Sequence, residues 1–336
     1  MSRWTYFGKR VLLSIPVVVF GTSLTFFIIY AGPVDPAAAI LGQKATGERL
    51  MQIRRQLGLN KPLWQRYLEF LLDMFTFHLG QSWVVRPDVS AYNVILSRAP
   101  RTVWLGAWSI LLPLFVGIPL GFYAGLNPNT AGDYTASFGG IVWRAIPNFW
   151  LAVILMIALS RSQALLFGFN WEAFLVPTNV VGAPPMENLL RPRNFIAATK
   201  VILPAALVLG SASMGNEMRI GRTAVLEAKN SNYVEMARAK GLSGRRIVWK
   251  HIFRNALIPL VPIITAEAGL LIGGSVIVEQ VFGINGIGML FFNAMTSGDL
   301  PLAGALMYFF ILLLVALNIL QDFLYTVIDP RVGFEE

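Results

Sequence analysis

The 336-residue chain is 55% hydrophobic and only 13% charged, which leaves too little polar surface to cover a soluble globule of that size and points to a lipid bilayer. Its 27 Lys/Arg against 18 Asp/Glu give a net charge of +9, but the basic residues cluster beside apolar stretches, as the positive-inside rule produces, and not as in a nucleic-acid binder. The absence of cysteine excludes a disulfide framework and a thiolate metal site.

The expected fold is an all-α membrane protein with about six transmembrane helices. Apolar runs long enough to cross a bilayer lie at residues 11–31, 103–126, 134–160, 195–218, 256–278 and 303–327. The fourth is the weakest, shorter than the rest and broken by Pro204 and several small residues. These runs divide the chain into a first transmembrane helix (1–32), an extracytoplasmic region (33–102), a membrane core (103–328) holding a polar loop at 219–255, and a tail (329–336).

Basic residues near the span ends orient the chain. Segments 1–10, 127–133, 219–255 and the tail hold three, no, nine and one Lys/Arg, whereas the loop 279–302 holds none. Both termini and the 219–255 loop are therefore expected in the cytoplasm. The region 33–102 also carries nine, but it is too long for the rule to count, because long loops translocate largely regardless of charge. Arg3, Lys9 and Arg10 could begin a cleavable signal, yet the apolar run that follows is long and ends in AGPVDP without a convincing cleavage site, so the first span reads as a retained helix.

After the first span, residues 48–57 and 62–77 both show helical apolar spacing, joined by the turn-prone LGLNKP. They read as a small cap over a pore mouth, with a specific binding element as the alternative. In the second span Gly117, Gly121 and Gly125 recur every four residues, a ridge that lets another helix approach closely, and Pro113 and Pro119 are candidates to kink the same helix. The third span carries one charge, Arg144, which is either a functional group or an arginine snorkelling to the cytoplasmic interface. Residues 161–194, rich in Pro and Asn, read as an irregular outer loop.

The most informative stretch is the polar one, which reads as two short helices around a glycine. Asn232 with Glu235 three residues on has the form of a capping box, and Gly241 sits where a helix ends in a left-handed residue. Ser243 can cap a second helix whose Val248, Trp249, Ile252 and Phe253 share one face, with Arg246, Lys250 and Arg254 on another; such a helix lies along a membrane surface or a partner protein. In the fifth span Glu267 stands near the middle, beside Gly269, Gly273 and Gly274. A carboxylate there must face a partner, a backbone donor or a wet cavity, so it either lines a pathway or makes a structural hydrogen bond.

Chemistry by the chain itself is not indicated. No phosphate-cradling G-x-x-x-x-G-K-[ST] occurs, and the glycines of EQVFGINGIG lack the strand, the Lys-Ser/Thr and the location of such a loop. His78 and His251 fall on opposite sides of the membrane and in no metal-ligand or triad pattern, so no catalytic or metal residue is assigned.

The run Glu235-Met236-Ala237, three further residues and Gly241 resembles the EAA loop of ATP-binding-cassette (ABC) importer permeases, in which a short coupling helix docks into a groove of a separate ATPase. The longer NYVEMARAKGLS and RNALIP are similar to the dipeptide/oligopeptide branch, which shares the late Pro259; Met236 replaces the first alanine of the generic motif. GPVDPA, RRQLGLNKP, LGQS, IPNFW, EQVFGINGIG and QDFLYTVIDPRV resemble further stretches of the branch, with His78 in place of a usual aspartate and Asn285 in place of a usual proline.

The resemblance implies the ABC importer type I permease fold and ATPase coupling through Asn232, Glu235, Met236, Ala237, Arg238, Ala239, Lys240 and Gly241, with Glu267 and Arg144 as translocation-path candidates. It implies a multi-pass protein of a prokaryotic inner membrane that pairs with a second, similar permease, two ATPases and an extracytoplasmic solute-binding protein. No cofactor is expected on this chain, ATP and Mg being bound by the partner ATPases. The implied cargo is a di- or oligopeptide; nickel, glutathione and oligosaccharides are alternatives for the same machinery. A secondary transporter, which should show buried charge chains and an internal repeat, and a receptor or scaffold without transport are the rival classes.

Overall fold

The computed structural model describes residues 3–30, 36–41, 47–56, 58–165, 168–175, 191–272 and 276–328. Among these the secondary structure is helical, apart from an isolated antiparallel bridge between Gln81 and Ser90. Among the described residues five helices are long and apolar enough to cross a membrane: Phe7–Ile29, Ala91–Leu126, Pro192–Lys229, Gly244–Gly269 and Leu300–Leu324. The predicted third span is instead a pair, Ala131–Ala145 and Asn148–Ser160, bent by 94°. Ile146 and Pro147 are extended between them, as the residue before a proline is driven to be. Counting the pair as one crossing gives six.

Contacts divide the chain into two units. The first combines residues 103–284 with the two chain ends, 1–7 and 317–336. Its spine is the helix Pro192–Lys229, which contains Pro204 and runs eleven residues past the expected end of the fourth span; its Gly210 and Gly215 are where Ser109 and Gly140 of neighbouring helices approach. A Cβ on Gly121 would lie 2.3 Å from the Met218 carbonyl oxygen, one on Gly117 2.8 Å from that of Met214, and one on Gly125 2.8 Å from that of Arg222. The four-residue glycine ridge is therefore a packing seam against this helix. Pro113 leaves a π-helical turn, Pro113–Gly117, inside a helix that otherwise continues. Two apolar clusters fill the unit: Ile118, Phe122, Val225, Val234, Ile247, Ile252 and Leu260 with their neighbours, and Leu105, Ile202, Leu209, Val278 and Ile284 with theirs.

The second unit is residues 8–102 with 285–316. The two expected extracytoplasmic helices are present as Gly47–Gln56 and Leu63–Phe75, with Gly58 in the left-handed region at their junction (φ 65°). Lys61 donates to both Glu69 oxygens at 2.7 Å and holds that exposed carboxyl below its usual range. Asp299, fully buried, accepts Ser82 Oγ at 2.5 Å and the amides of Trp83, Val84 and Val85 at 3.0 Å. A stretch without regular structure is thus closed on one carboxylate. Two expectations change here: the helix beginning at Ala91 absorbs the last dozen residues of the 33–102 region, and the loop 279–302 contains the helix Ile287–Ser297, ended by left-handed Gly298 (φ 73°). The PTNVVGAPP stretch, Gly273, Gly274 and the 329–336 tail lie outside the described residues.

Candidate functional site

Only part of the 219–255 segment forms a loop. Arg219–Lys229 continues the long helix, and after Asn230 and Ser231 the chain makes a short helix, Asn232–Ala239. The capping box is absent: Ser231, not Asn232, is the N-cap residue (φ −82°, ψ 150°), and no side chain caps the helix. The Ser231 hydroxyl instead donates to the Ala228 carbonyl at 2.6 Å, closing the preceding helix, and this leaves Glu235 without the reciprocal bond expected of it.

The other end closes as the sequence predicts. Leu242 N–H reaches the Ala237 carbonyl at 3.2 Å and Gly241 N–H that of Arg238 at 2.9 Å, with Gly241 at φ 73°. This pair of bonds satisfies the terminal carbonyls of the helix and reverses the chain direction. The helix is anchored from within by Val234 and Ala237, buried in the cluster of Ile247, Ile252 and Phe122. Ala237 faces inward, and its small side chain lets the helix lie close to its own unit. The outward face presents Tyr233 (40% exposed) and Met236 (59%), with Asn232, Glu235, Arg238, Ala239 and Lys240 also exposed.

The second expected short helix is not separate, since Gly244 begins the helical run that becomes the fifth span. Its segment Ile247–Phe253 is π-helical, so Ile247 and Ile252, five residues apart, share the buried face while Trp249 is 60% exposed. An α-helical reading of the same residues puts the wrong side chains inward.

Three ionisable side chains of the predicted spans gather on the helix Pro192–Lys229. The Arg144 guanidinium does not reach away from its helix end but donates to Asn216 Oδ1 at 2.7 Å. Ser213 Oγ donates to Glu267 Oε2 at 2.9 Å. One turn beyond Ser213, Glu217 is buried to 1% exposure with neither carboxylate oxygen hydrogen-bonded, and both Glu267 and Arg144 act on it electrostatically. Glu217 escaped notice in the sequence although it falls inside the predicted 195–218 span; its place near the end of that run hid it.

The family model for a binding-protein-dependent transport system inner membrane component matches residues 117–334, and the model of that family's N-terminal region matches 4–105. The chain belongs to this family. The permease is 33% identical over 329 residues to the oligopeptide transport system permease protein AppB of Bacillus subtilis (strain 168), with 98% of this chain and 99% of AppB covered. It is 29% identical over 331 residues to the dipeptide transport system permease protein DppB of Escherichia coli (strain K12), covering 96% and 97%. The MetNI methionine ABC transporter, solved in inward-facing conformations, shares the fold at a TM-score of 0.52 and 18% identity, over 70% of the permease and 96% of the solved chain. The permease is thus a multi-pass inner-membrane protein and a transport component. Family membership also disposes of the secondary-transporter and scaffold readings.

Proposed function

We propose that the permease is one transmembrane subunit of an ATP-driven ABC importer that takes di- or oligopeptides from an extracytoplasmic binding protein. The observation that carries the reading is the short helix Asn232–Ala239: locked from below by Val234 and Ala237, closed by left-handed Gly241, and turning Tyr233 and Met236 outward. An exposed Met and Tyr on a rigid helix form an anchor for an apolar groove, Met adapting its shape and Tyr adding area at small entropic cost. The groove belongs to a partner ATPase, where ATP and Mg bind and hydrolysis occurs; this chain supplies the docking element and half of the pore, a second, similar permease supplying the other half. Residues Asn232, Glu235, Met236, Ala237, Arg238, Ala239, Lys240 and Gly241 act as the coupling unit, with Ala237 and Gly241 setting its position and the others meeting the partner.

The peptide cargo is supported by the oligopeptide and dipeptide transport systems named for the relatives. Nickel, glutathione or an oligosaccharide would use the same machinery. Two measurements test the proposal. Purification of the full chain with the products of its neighbouring genes should yield two ATPases whose retention depends on Met236, and a Met236→Asp chain that retains them equally well removes the docking role. Mass spectrometry of the ligand that copurifies with the cognate binding protein should identify short peptides, and a sugar or a metal there removes the cargo assignment.

A further inference from the structure

Arg144 and Glu267 are opposite charges held on one helix but kept apart. Their anchors, Asn216 and Ser213, are three residues apart on Pro192–Lys229, and side chains at that spacing have Cβ atoms about 5–6 Å apart. Neither residue makes an ion pair, among the described residues, although an arginine and a carboxylate within a membrane span ordinarily seek each other. Arg144 is exposed and Glu267 half-buried, so both can be reached, while Glu217 stands behind them, buried and without a hydrogen-bond partner. The cluster carries two acids and one base.

We propose that Arg144 and Glu267 form a transient site for the two charged ends of a short peptide inside the permease. This inference rests on the peptide-importer reading above and extends it to the recognition chemistry. The Arg144 guanidinium takes the terminal carboxylate, to which its planar donors are suited, and Glu267 takes the terminal ammonium. Glu217, buried without a hydrogen-bond partner, is costly to ionise, so it touches no cargo and adds no charge to the site. The anchors lie on one face of the helix at a separation of the same order as a short peptide, an extended dipeptide spanning at most about 7 Å and a tripeptide about 10 Å. Splitting the pair on Asn216 and Ser213 keeps the site from collapsing on itself when empty, and the hydrogen bonds that hold each charge are weak enough to be exchanged for a passing ligand, as a transport pathway requires.

The test uses the complete transporter in nanodiscs, without binding protein, and saturation-transfer NMR with three probes: trialanine, N-acetyl-trialanine and trialanine amide. Trialanine should be saturated several-fold more strongly than either capped form. Arg144→Gln should abolish the preference for trialanine over its amide and leave the preference over the acetylated peptide. Glu267→Gln should do the reverse, and Glu217→Gln, which replaces a neutral acid with a neutral isostere, should leave both preferences in place. A residue with a merely structural role would change all three signals together, and that pattern overturns the proposal, as does equal saturation of all three probes by the wild type. Uptake of trialanine into proteoliposomes, driven by ATP and the binding protein, separates the two levels. If the wild type imports trialanine but shows no preference among the probes, the site is wrong and the cargo reading stands; if it imports no peptide, the cargo reading itself fails.

Discussion

Arg222 grips Asp133 with two hydrogen bonds, Nε to Oδ1 at 2.5 Å and Nη2 to Oδ2 at 2.7 Å, and so ties the first turn of the helix Ala131–Ala145 to the last turns of the helix that leads into Asn232–Ala239. Asp133 is fully buried and also accepts the Asn129 amide and the Ser137 hydroxyl, so its lone pairs are well used. Lys229, about two turns nearer the short helix, donates to the Leu126 carbonyl at 2.7 Å and reinforces the same junction. The short helix Asn232–Ala239 is therefore mounted on the membrane core through polar links to the preceding segment as well as through its apolar underside.

Removing that grip should loosen the mount. Asp133→Ala leaves the Arg222 guanidinium, the Asn129 amide and the Ser137 hydroxyl without their acceptor, and because Arg222 keeps 29% exposure and part of its hydration, the loss is expected at about 1–3 kcal/mol, below the ~3–5 kcal/mol of a fully buried pair. Thermal unfolding of the purified permease in detergent measures it, with Asp133→Asn expected to lose less. An unchanged midpoint in Asp133→Ala would show that the pair contributes nothing to the mount.

Gly241 offers a test in which packing has no part. An added Cβ there meets no atom within 4 Å, so the only penalty is the left-handed backbone, roughly 1–2 kcal/mol for an ordinary residue and more for a β-branched one. Gly241→Val is expected to insert and pair normally but to uncouple ATP hydrolysis from the loaded binding protein, whereas Gly244→Ala, equally open and with no positive φ, is expected to couple as the wild type does. Reconstituted ATPase activity with and without the binding protein decides it, and full stimulation in Gly241→Val would remove this loop as the power input.

Gly121 tests the opposite situation. Its backbone conformation suits any residue, but a Cβ would lie 2.3 Å from a backbone oxygen of the neighbouring helix, so Gly121→Ala must push two helices apart at a cost of about 3 kcal/mol, the upper end for overpacking. Gly139→Ala, with no atom within 4 Å, should be neutral or slightly stabilising. Equal melting temperatures for the two variants would mean that the seam yields at no cost.

Orientation can be read by labelling. The chain has no cysteine, so Ser90→Cys and Ser243→Cys can be introduced singly and exposed in intact cells to an impermeant thiol reagent. Ser90→Cys is expected to react and Ser243→Cys to react only after the membrane is opened, which would place the region 33–102 outside and the docking helix within reach of ATPases. The reverse pattern would invert the topology and with it the proposed mechanism.

Hydrophobic run length alone determined that this chain crosses the bilayer about six times, because an unpaired backbone cannot reside in hydrocarbon and about 20 apolar residues are needed to carry a helix through it. The sequence likewise determined the end of the short helix, since a left-handed residue at Gly241 is a local requirement that glycine meets at no steric cost. The glycine ridge foretold close packing, though not its partner, the helix Pro192–Lys229. Which residues of Asn232–Ala239 face outward depended on where Ile247, Ile252 and Phe122 close beneath it, and the π-helical turn that aligns Ile247 with Ile252 follows a five-residue spacing absent from α-helical periodicity. The charged cluster was the least legible. Its members meet across 72 and 54 residues of chain, so single positions could mark Arg144 and Glu267 as costly to bury, but only the crossing of three helices could set them beside Asn216 and Ser213 with Glu217 behind, because side-chain proximity over such separations is created by packing and not by local propensity.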